Sequence, residues 1–253
     1  MLISGEKRKG TTVPDKNYKF FSFIMAAFVT VILCSNLIGP AKICQVELPF
    51  ALPIIGSLLV FGAGNLFFPI SYIFGDILTE VYGYARARKV IWTGFGAMIF
   101  ATFMSQIVIH MPVHEPEPFN AVLQPALEIV FGSTGRIVIA SIVAFWAGDF
   151  VNAYVLAKMK ILTSGRYLWT RTIGSTMVGQ SVDSLIFYPV AFYGVWSTEG
   201  LIAVVLFNFA FKVSIEIIMT PVTYKAVSTL KKLEDEDYYD VSTNFSPFKL
   251  DNK

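Results

Sequence analysis

Six apolar stretches of about twenty residues or more occupy most of the chain, near 20–39, 54–80, 89–110, 136–157, 172–195 and 200–226. An α-helix rises about 1.5 Å per residue, so about twenty apolar residues cross the roughly 30 Å hydrocarbon of a bilayer. A backbone in lipid must satisfy its own polar groups, and a helix does so within one segment. Composition agrees with that reading. Of 253 residues, 55% are hydrophobic and only 15% charged, with mean hydropathy +0.60, where a soluble domain carries about 25% charged residues. The pattern predicts an all-α integral membrane protein, a bundle of six transmembrane helices. Pro53 opens the second span, Pro69 should kink it, and Pro189 and Pro221 should bend the fifth and sixth. Pro112, Pro116, Pro118 and Pro125 forbid one continuous helix across 111–134.

Lys and Arg set the direction of insertion. Lys7, Arg8, Lys9, Lys16 and Lys19 precede the first span, Arg86, Arg88 and Lys89 follow the second, Lys158, Lys160, Arg166 and Arg171 follow the fourth, and Lys225, Lys231 and Lys232 follow the last. The alternate loops hold Lys42 and Arg136 beside Glu47, Glu115, Glu117, Glu128 and Glu199. Both termini are therefore expected in the cytoplasm. The first span is too long for a cleaved leader, and SNLIGPAKI carries no Ala-x-Ala cleavage pattern. The chain divides into a cytoplasmic segment 1–19, a membrane domain 20–230 and a polar tail 231–253, KKLEDEDYYD onward, expected to be a solvated extension. No segment outside the membrane is long enough for a catalytic domain, so the chain is not expected to be an enzyme.

Four spans carry polar pairs at helical spacing: Asp76 and Glu80, Asp149 and Asn152, Gln180 and Asp183 with Ser184, and Lys212 and Glu216. Residues three or four apart share one helix face, so each pair is a polar stripe turned from lipid. Each carboxylate lies roughly 9–18 Å of helix rise inside the nearest basic boundary, which places all of them in one layer of the cytoplasmic half. An acid at such depth costs about 2.5–3.5 kcal/mol even on the mild insertion scale. Five carboxylates beside Lys212 exceed what helix packing needs. Either protons or a cationic ligand must offset them. Glu80, nearest the edge, also fits a snorkelling role, and Lys212 with Glu216 also fits a structural ion pair. Phe68, Tyr72, Phe74, Phe145, Trp146, Phe187 and Tyr188 border the same layer. Aromatic walls with carboxylate acceptors suit a flat base that presents N–H groups.

Other patterns carry less. Net charge is +2, too little for nucleic-acid binding. His110 and His114 are separated by Pro112, and Cys34 and Cys44 have neither metal-ligand spacing nor a disulfide framework around them. No metal or cofactor is implied. IFGD and WAGD lack the first glycine of the GxGD pattern of intramembrane aspartyl proteases.

FPISYIFGDILTEVYGYARARK (residues 68–89), SNLIGPAKI, GQSVDS and KVSIEIIMTPVTYK, in that order, resemble the queuosine precursor transporter family, also called the vitamin uptake transporter family. The resemblance covers roughly residues 20–230. It implies a bacterial inner-membrane importer of 7-deazaguanine bases used to make the tRNA nucleoside queuosine, a secondary transporter with a small-molecule partner and the bilayer around it. By that resemblance Asp76 and Glu80 belong to the recognition site with Gln180 and Asp183 opposite, and Asn36 and Lys42 match family positions near the outer mouth. Ser184 stands where the family pattern suggests Thr. The substrate-binding set is thus Asn36, Phe68, Tyr72, Asp76, Glu80, Trp146, Asp149, Asn152, Gln180, Asp183, Lys212 and Glu216. Two other readings stay open: a substrate-capturing subunit served by a separate ATPase, and an intramembrane aspartyl protease. A homodimer stays open as well.

Overall fold

The structure is a computed structural model that describes residues 16–37, 43–52, 56–114, 116–132, 135–195 and 197–249. Among the described residues are seven α-helices: α1 (Phe21–Leu37), α2 (Phe68–Tyr82), α3 (Tyr84–His110), α4 (Asn120–Phe131), α5 (Gly135–Leu162), α6 (Leu168–Phe192) and α7 (Thr198–Glu234). Between α1 and α2 lie two antiparallel strands, β1 (Ile43–Leu52) and β2 (Gly56–Gly62), then a 3-10 turn over Ala63–Leu66.

That hairpin corrects the second predicted span. Residues 54–80 are not one helix, because Pro49, Pro53, Gly56, Gly62 and Gly64 interrupt any helix that reaches back past Pro69. Glu47 pairs with Leu58 and Ile43 with Gly62, with an irregularity between Glu47 and Leu52. Pro69 sits in the first turn of α2, where its missing N–H costs nothing, so it starts the helix rather than kinking it. Only 15 residues long, α2 rises about 22 Å. The prolines at 189 and 221 lie inside α6 and α7, each of which continues through them as one helix. The proline-rich segment gives only the short α4, with Pro125 inside it.

The distribution of polarity is inverted relative to a soluble protein. Arg88, Arg171, Asp76 and Glu80 are buried, while Leu162, Ile129 and Phe23 are 82%, 75% and 74% exposed. Broad exposed apolar faces over a buried polar interior suit lipid as the solvent. Among the described residues, α3 and the ranges Arg136–Leu162 and Val204–Glu234 are long and apolar enough to cross a membrane. The described chain is almost wholly helical, and these three helices have the length and apolar composition of membrane spans.

Two features place the interior groups. Gly148 of α5 and Gly179 of α6 meet so closely that a Cβ added to Gly179 would lie 2.8 Å from Asn152 Cβ and 2.9 Å from the Gly148 carbonyl oxygen. Close approach of backbones through small residues is how lipid-embedded helices pack. It also sets Asp149 and Asn152 against Gln180 and Asp183.

The second feature is the tail, which is docked rather than solvated. Asp240 is 2% exposed, and both its oxygens accept the Tyr84 backbone N–H at 3.0 and 3.1 Å. Gly83 has no side chain to cap α3, so the tail supplies the capping carboxylate. Arg88 Nη1 donates to the carbonyls of Asn244 and Ser246, and Trp92 Nε1 to that of Pro247, each at 2.7 Å. Phe245 packs on Tyr84 and Tyr154. A polar sequence predicts solvation, yet here the tail's carboxylates, backbone carbonyls and aromatic rings dock it. Both cysteines are free.

Candidate functional site

The interior polar groups fall into two clusters, where the sequence alone predicts one. The first is an ion cluster around Glu80, which is completely buried. Arg171 approaches it at 2.8 Å and Lys231 at 2.6 Å, with Lys160 at 3.5 Å. Asp237 of the tail bridges the two lysines at 2.6 and 2.7 Å. Outside the spans, burial raises the Asp237 carboxyl, but hydrogen bonds from Lys160 and Lys231 outweigh it and hold the group below its ordinary range. Glu80 therefore does not snorkel: it is neutralised by cations from α5, α6 and α7. In the sequence those cations stand only as boundary charges beside the spans.

The second cluster surrounds Tyr72, Asp76, Asp149, Asp183 and Glu216. Tyr72 has Asp183, Asp149 and Glu216 as charged neighbours, and Asp76 has Glu216, Glu80 and Asn152 as its neighbours. α2, α5, α6 and α7 thus bring together most of the residues that the helical spacing singles out. Lys212 pairs with Asp183, at 3.0 Å, and not with Glu216 four residues away. Its reach across the helix interface to α6 replaces the pair expected within α7.

Several acceptors in this cluster are buried and receive no hydrogen bond: both oxygens of Asp76, both of Glu216, and one oxygen each of Asp149, Asn152 and Gln180. The Asn152 and Glu216 side chains stand beside Asp76 without reaching it in hydrogen-bond geometry. An unsatisfied buried acceptor costs about 1–3 kcal/mol, more when charged. Such a set marks a place for a donor-rich ligand. The void beside Tyr72, Asp149 and Asn152 is about 10 Å³, roughly one water, so the helices are closed on the cluster.

Other expected members stand elsewhere. Trp146 packs against Trp92, Phe150 and Phe248 in an aromatic cluster with ring centroids 5.2–5.9 Å away. Asn36 lines a separate cavity of about 130 Å³ between α1, α3, α5 and α6, where its amide oxygen accepts the Ser141 hydroxyl at 3.0 Å. Phe68 opens α2, but its side chain lies outside the described ones, as does Lys42 altogether. Among the described residues no group of three or more His, Cys, Asp or Glu is arranged to hold a metal.

A helical membrane protein with a closed, acceptor-rich polar cluster between its helices belongs to the class that handles small polar solutes inside the bilayer. The family described as "Putative vitamin uptake transporter" matches residues 62–226, and the chain belongs to it. It is 32% identical over 194 residues to the "Probable queuosine precursor transporter" of Bacillus subtilis, covering 75% of this chain and 81% of that one. It is 25% identical to the "Queuosine precursor transporter" of Escherichia coli, over 87% of this chain and 93% of the other. A Haemophilus influenzae "Probable queuosine precursor transporter" is 26% identical over 68% of this chain and 71% of its own. No solved structure matches the chain.

Proposed function

We propose that this chain imports queuosine precursors, 7-deazaguanine bases, across the bacterial inner membrane as a secondary transporter. The printed names of its relatives supply the substrate class. The observation that carries the reading to particular residues is the set of orphaned acceptors on Asp76, Glu216, Asp149, Asn152 and Gln180. A guanine-like edge offers a ring N–H and an amino group side by side, which one carboxylate accepts as a bidentate pair. Asp76 and Glu216 are assigned that reading role, with Asn152, Gln180 and the Asp183–Lys212 pair completing the polar wall and Tyr72 packing against the ring. An aminomethyl base would also bring a cation to an acid-rich site.

Six spans are assigned to α1, α2, α3, α5, α6 and α7, with both termini and the segment 158–171 cytoplasmic and 111–134 outside. The basic segments support this orientation. In a chain whose Cys34 and Cys44 are serine, Glu117→Cys should react with an impermeant thiol reagent added to intact cells, and Arg166→Cys should react only after lysis. The decisive measurement is uptake of a labelled 7-deazaguanine base into vesicles that contain the purified chain alone. Uptake without any ATPase supports a secondary transporter. Base binding without uptake would move the chain to the capture-subunit reading, and neither binding nor uptake would overturn the assignment.

A further inference from the structure

The cavity at Asn36 is unused by the mechanism above, yet it is continuous in pattern with the acidic cluster. On α5, Ser141, Phe145 and Asp149 are spaced four apart and share one face. Ser141 lines the Asn36 cavity, and Asp149 lines the small void at the acids. On α1, Asn36, Ile32 and Phe28 repeat the spacing, with Asn36 at the cavity and Phe28 at the void. On α6, Phe187 at the cavity stands one turn from Asp183. Two helices, α1 and α5, therefore each run a stripe from one chamber to the other, and α6 joins the cavity to the acids through Phe187 and Asp183.

Between the chambers the stripes are apolar. Phe28 is 1% exposed, and its ring and that of Phe145 both flank Gly94 of α3, where a Cβ would lie 3.5 Å from the Phe28 ring and 3.7 Å from that of Phe145. Two rings flanking a glycine form an apolar partition between the chambers.

The cavity itself has the makings of a ring site. Its volume of about 130 Å³ approaches the roughly 150 Å³ that accepts a benzene ring in an engineered cavity. Its lining residues Leu33 and Ile142 are half-buried, so a longer bicycle can extend past the mouth. Phe187 offers an aromatic face, and among the described residues no lining side chain is charged. The polar corner is the Asn36 amide. Its oxygen takes one hydrogen bond, from Ser141, leaving a second lone pair. Its N–H groups meet the Ile32 carbonyl at 2.9 Å and, more weakly, the Met98 sulfur at 3.8 Å. A lactam edge, with N–H beside C=O, would take the spare lone pair and displace the sulfur contact. An acyl chain fills apolar volume but has no use for that corner.

We propose that the Asn36 cavity is a second substrate site, which takes an uncharged guanine-like base against Phe187 and Asn36 before it passes the Phe28–Phe145 partition to the acids. The inference rests on the import reading above. With no counter-charge among the described lining residues, the cavity holds the neutral base in preference to the cation, whose binding is left to the acidic cluster.

The test is binding stoichiometry on the purified full-length chain, with neutral 7-deazaguanine and its cationic 7-aminomethyl derivative as probes. Wild type should bind two equivalents of the neutral base and one of the cation. Ala101→Leu, which fills the cavity, should reduce the neutral base to one equivalent at unchanged affinity and slow uptake several-fold. As a second reading, Thr102→Cys in a chain whose Cys34 and Cys44 are serine should be alkylated by N-ethylmaleimide, and the neutral base should slow that reaction at least threefold while the cation does not. One equivalent of neutral base with Thr102→Cys unprotected overturns the second site and leaves the import reading standing. Protection of Thr102→Cys by lipid but not by base also overturns it, since the cavity then holds an acyl chain. No binding of either base to wild type overturns the import reading, and this inference with it.

Discussion

Arg171 of α6 holds Glu80 of α2 at two points, Nη2 to Oε1 at 2.8 Å and Nε to Oε2 at 3.3 Å, with both side chains buried. Lys231 of α7 reaches the same Oε1 at 2.6 Å, and Lys160 of α5 donates to the Glu80 backbone carbonyl, also at 2.6 Å. One carboxylate thus ties four helices. Replacing one partner of a buried ion pair costs about 3–5 kcal/mol, because the other charge is left uncompensated. Glu80→Gln leaves Arg171 without its carboxylate and Lys160 and Lys231 with Asp237 alone, and should lower the thermal midpoint in detergent well below that of Asp76→Asn. A midpoint equal to wild type would return Glu80 to the edge role that its sequence position suggests.

The contrast with Asp76 is the functional prediction. Its oxygens accept no hydrogen bond, so Asp76→Asn removes a buried carboxylate without stranding a cation and should leave the fold intact. If Asp76 reads the base, loss of a charge-assisted pair costs roughly 2–3 kcal/mol, about 30- to 150-fold in affinity. Asp183→Asn differs, because it leaves Lys212 without its 3.0 Å ion pair. Its stability loss should be partly recovered in the double variant with Lys212→Met, as a double-mutant cycle would report. Equilibrium binding and thermal denaturation of the same preparations separate the two roles. Wild-type affinity in Asp76→Asn would remove Asp76 from the site.

The helical spacing made the interior acids legible, because a three- or four-residue repeat identifies a shared face whatever the tertiary structure. Which acid meets which cation was not legible. Lys212 and Glu216 have ideal spacing for a pair within α7, yet Lys212 bonds Asp183 of α6. Lys160, Arg171 and Lys231 read as boundary charges, since nothing local shows that they fold inward onto Glu80. The hairpin before α2 was masked by hydrophobicity, which is common to strands and helices when the apolar run is short. The docking of the tail is hidden for the opposite reason: its composition is polar, but its bonds to Arg88 and Trp92 come from backbone carbonyls, which composition does not register.

Gly179 offers a steric test of how the site is assembled. A methyl group there would lie 2.8 Å from Asn152 Cβ and 2.9 Å from the Gly148 carbonyl oxygen, and neither atom belongs to a flexible chain end. Gly179→Ala should therefore push α5 from α6, at a cost of about 1–3 kcal/mol, and move Asn152 away from Gln180. Gly75, one residue before Asp76, has nothing within 4 Å of its added Cβ. Gly75→Ala should leave stability and uptake near wild type. Equal effects of the two substitutions would count against the crossing as the element that sets the site.

The tail is expected to respond to acid, and the sign follows from two carboxyls that act in opposite directions. Burial raises Asp237, but bonds from Lys160 and Lys231 prevail and lower it. Its contribution is present above the ordinary Asp value of about 3.9 and is lost as pH falls through the lower folded value. Burial raises Asp240 despite the bonds from Tyr84 and Thr243. Its ionised form therefore costs stability near neutrality, a cost relieved as pH falls through that raised value. Mild acid should tighten or spare the docked tail, and release should come only below the ordinary range. Cleavage within 235–249 by an acid-active protease, followed against pH, reads this directly. Asp237→Asn should remove the low-pH release step and leave the tail more readily cleaved at neutral pH, because Lys160 and Lys231 lose their shared anion. Tail release in the neutral range for wild type would show that Asp237 does not anchor it.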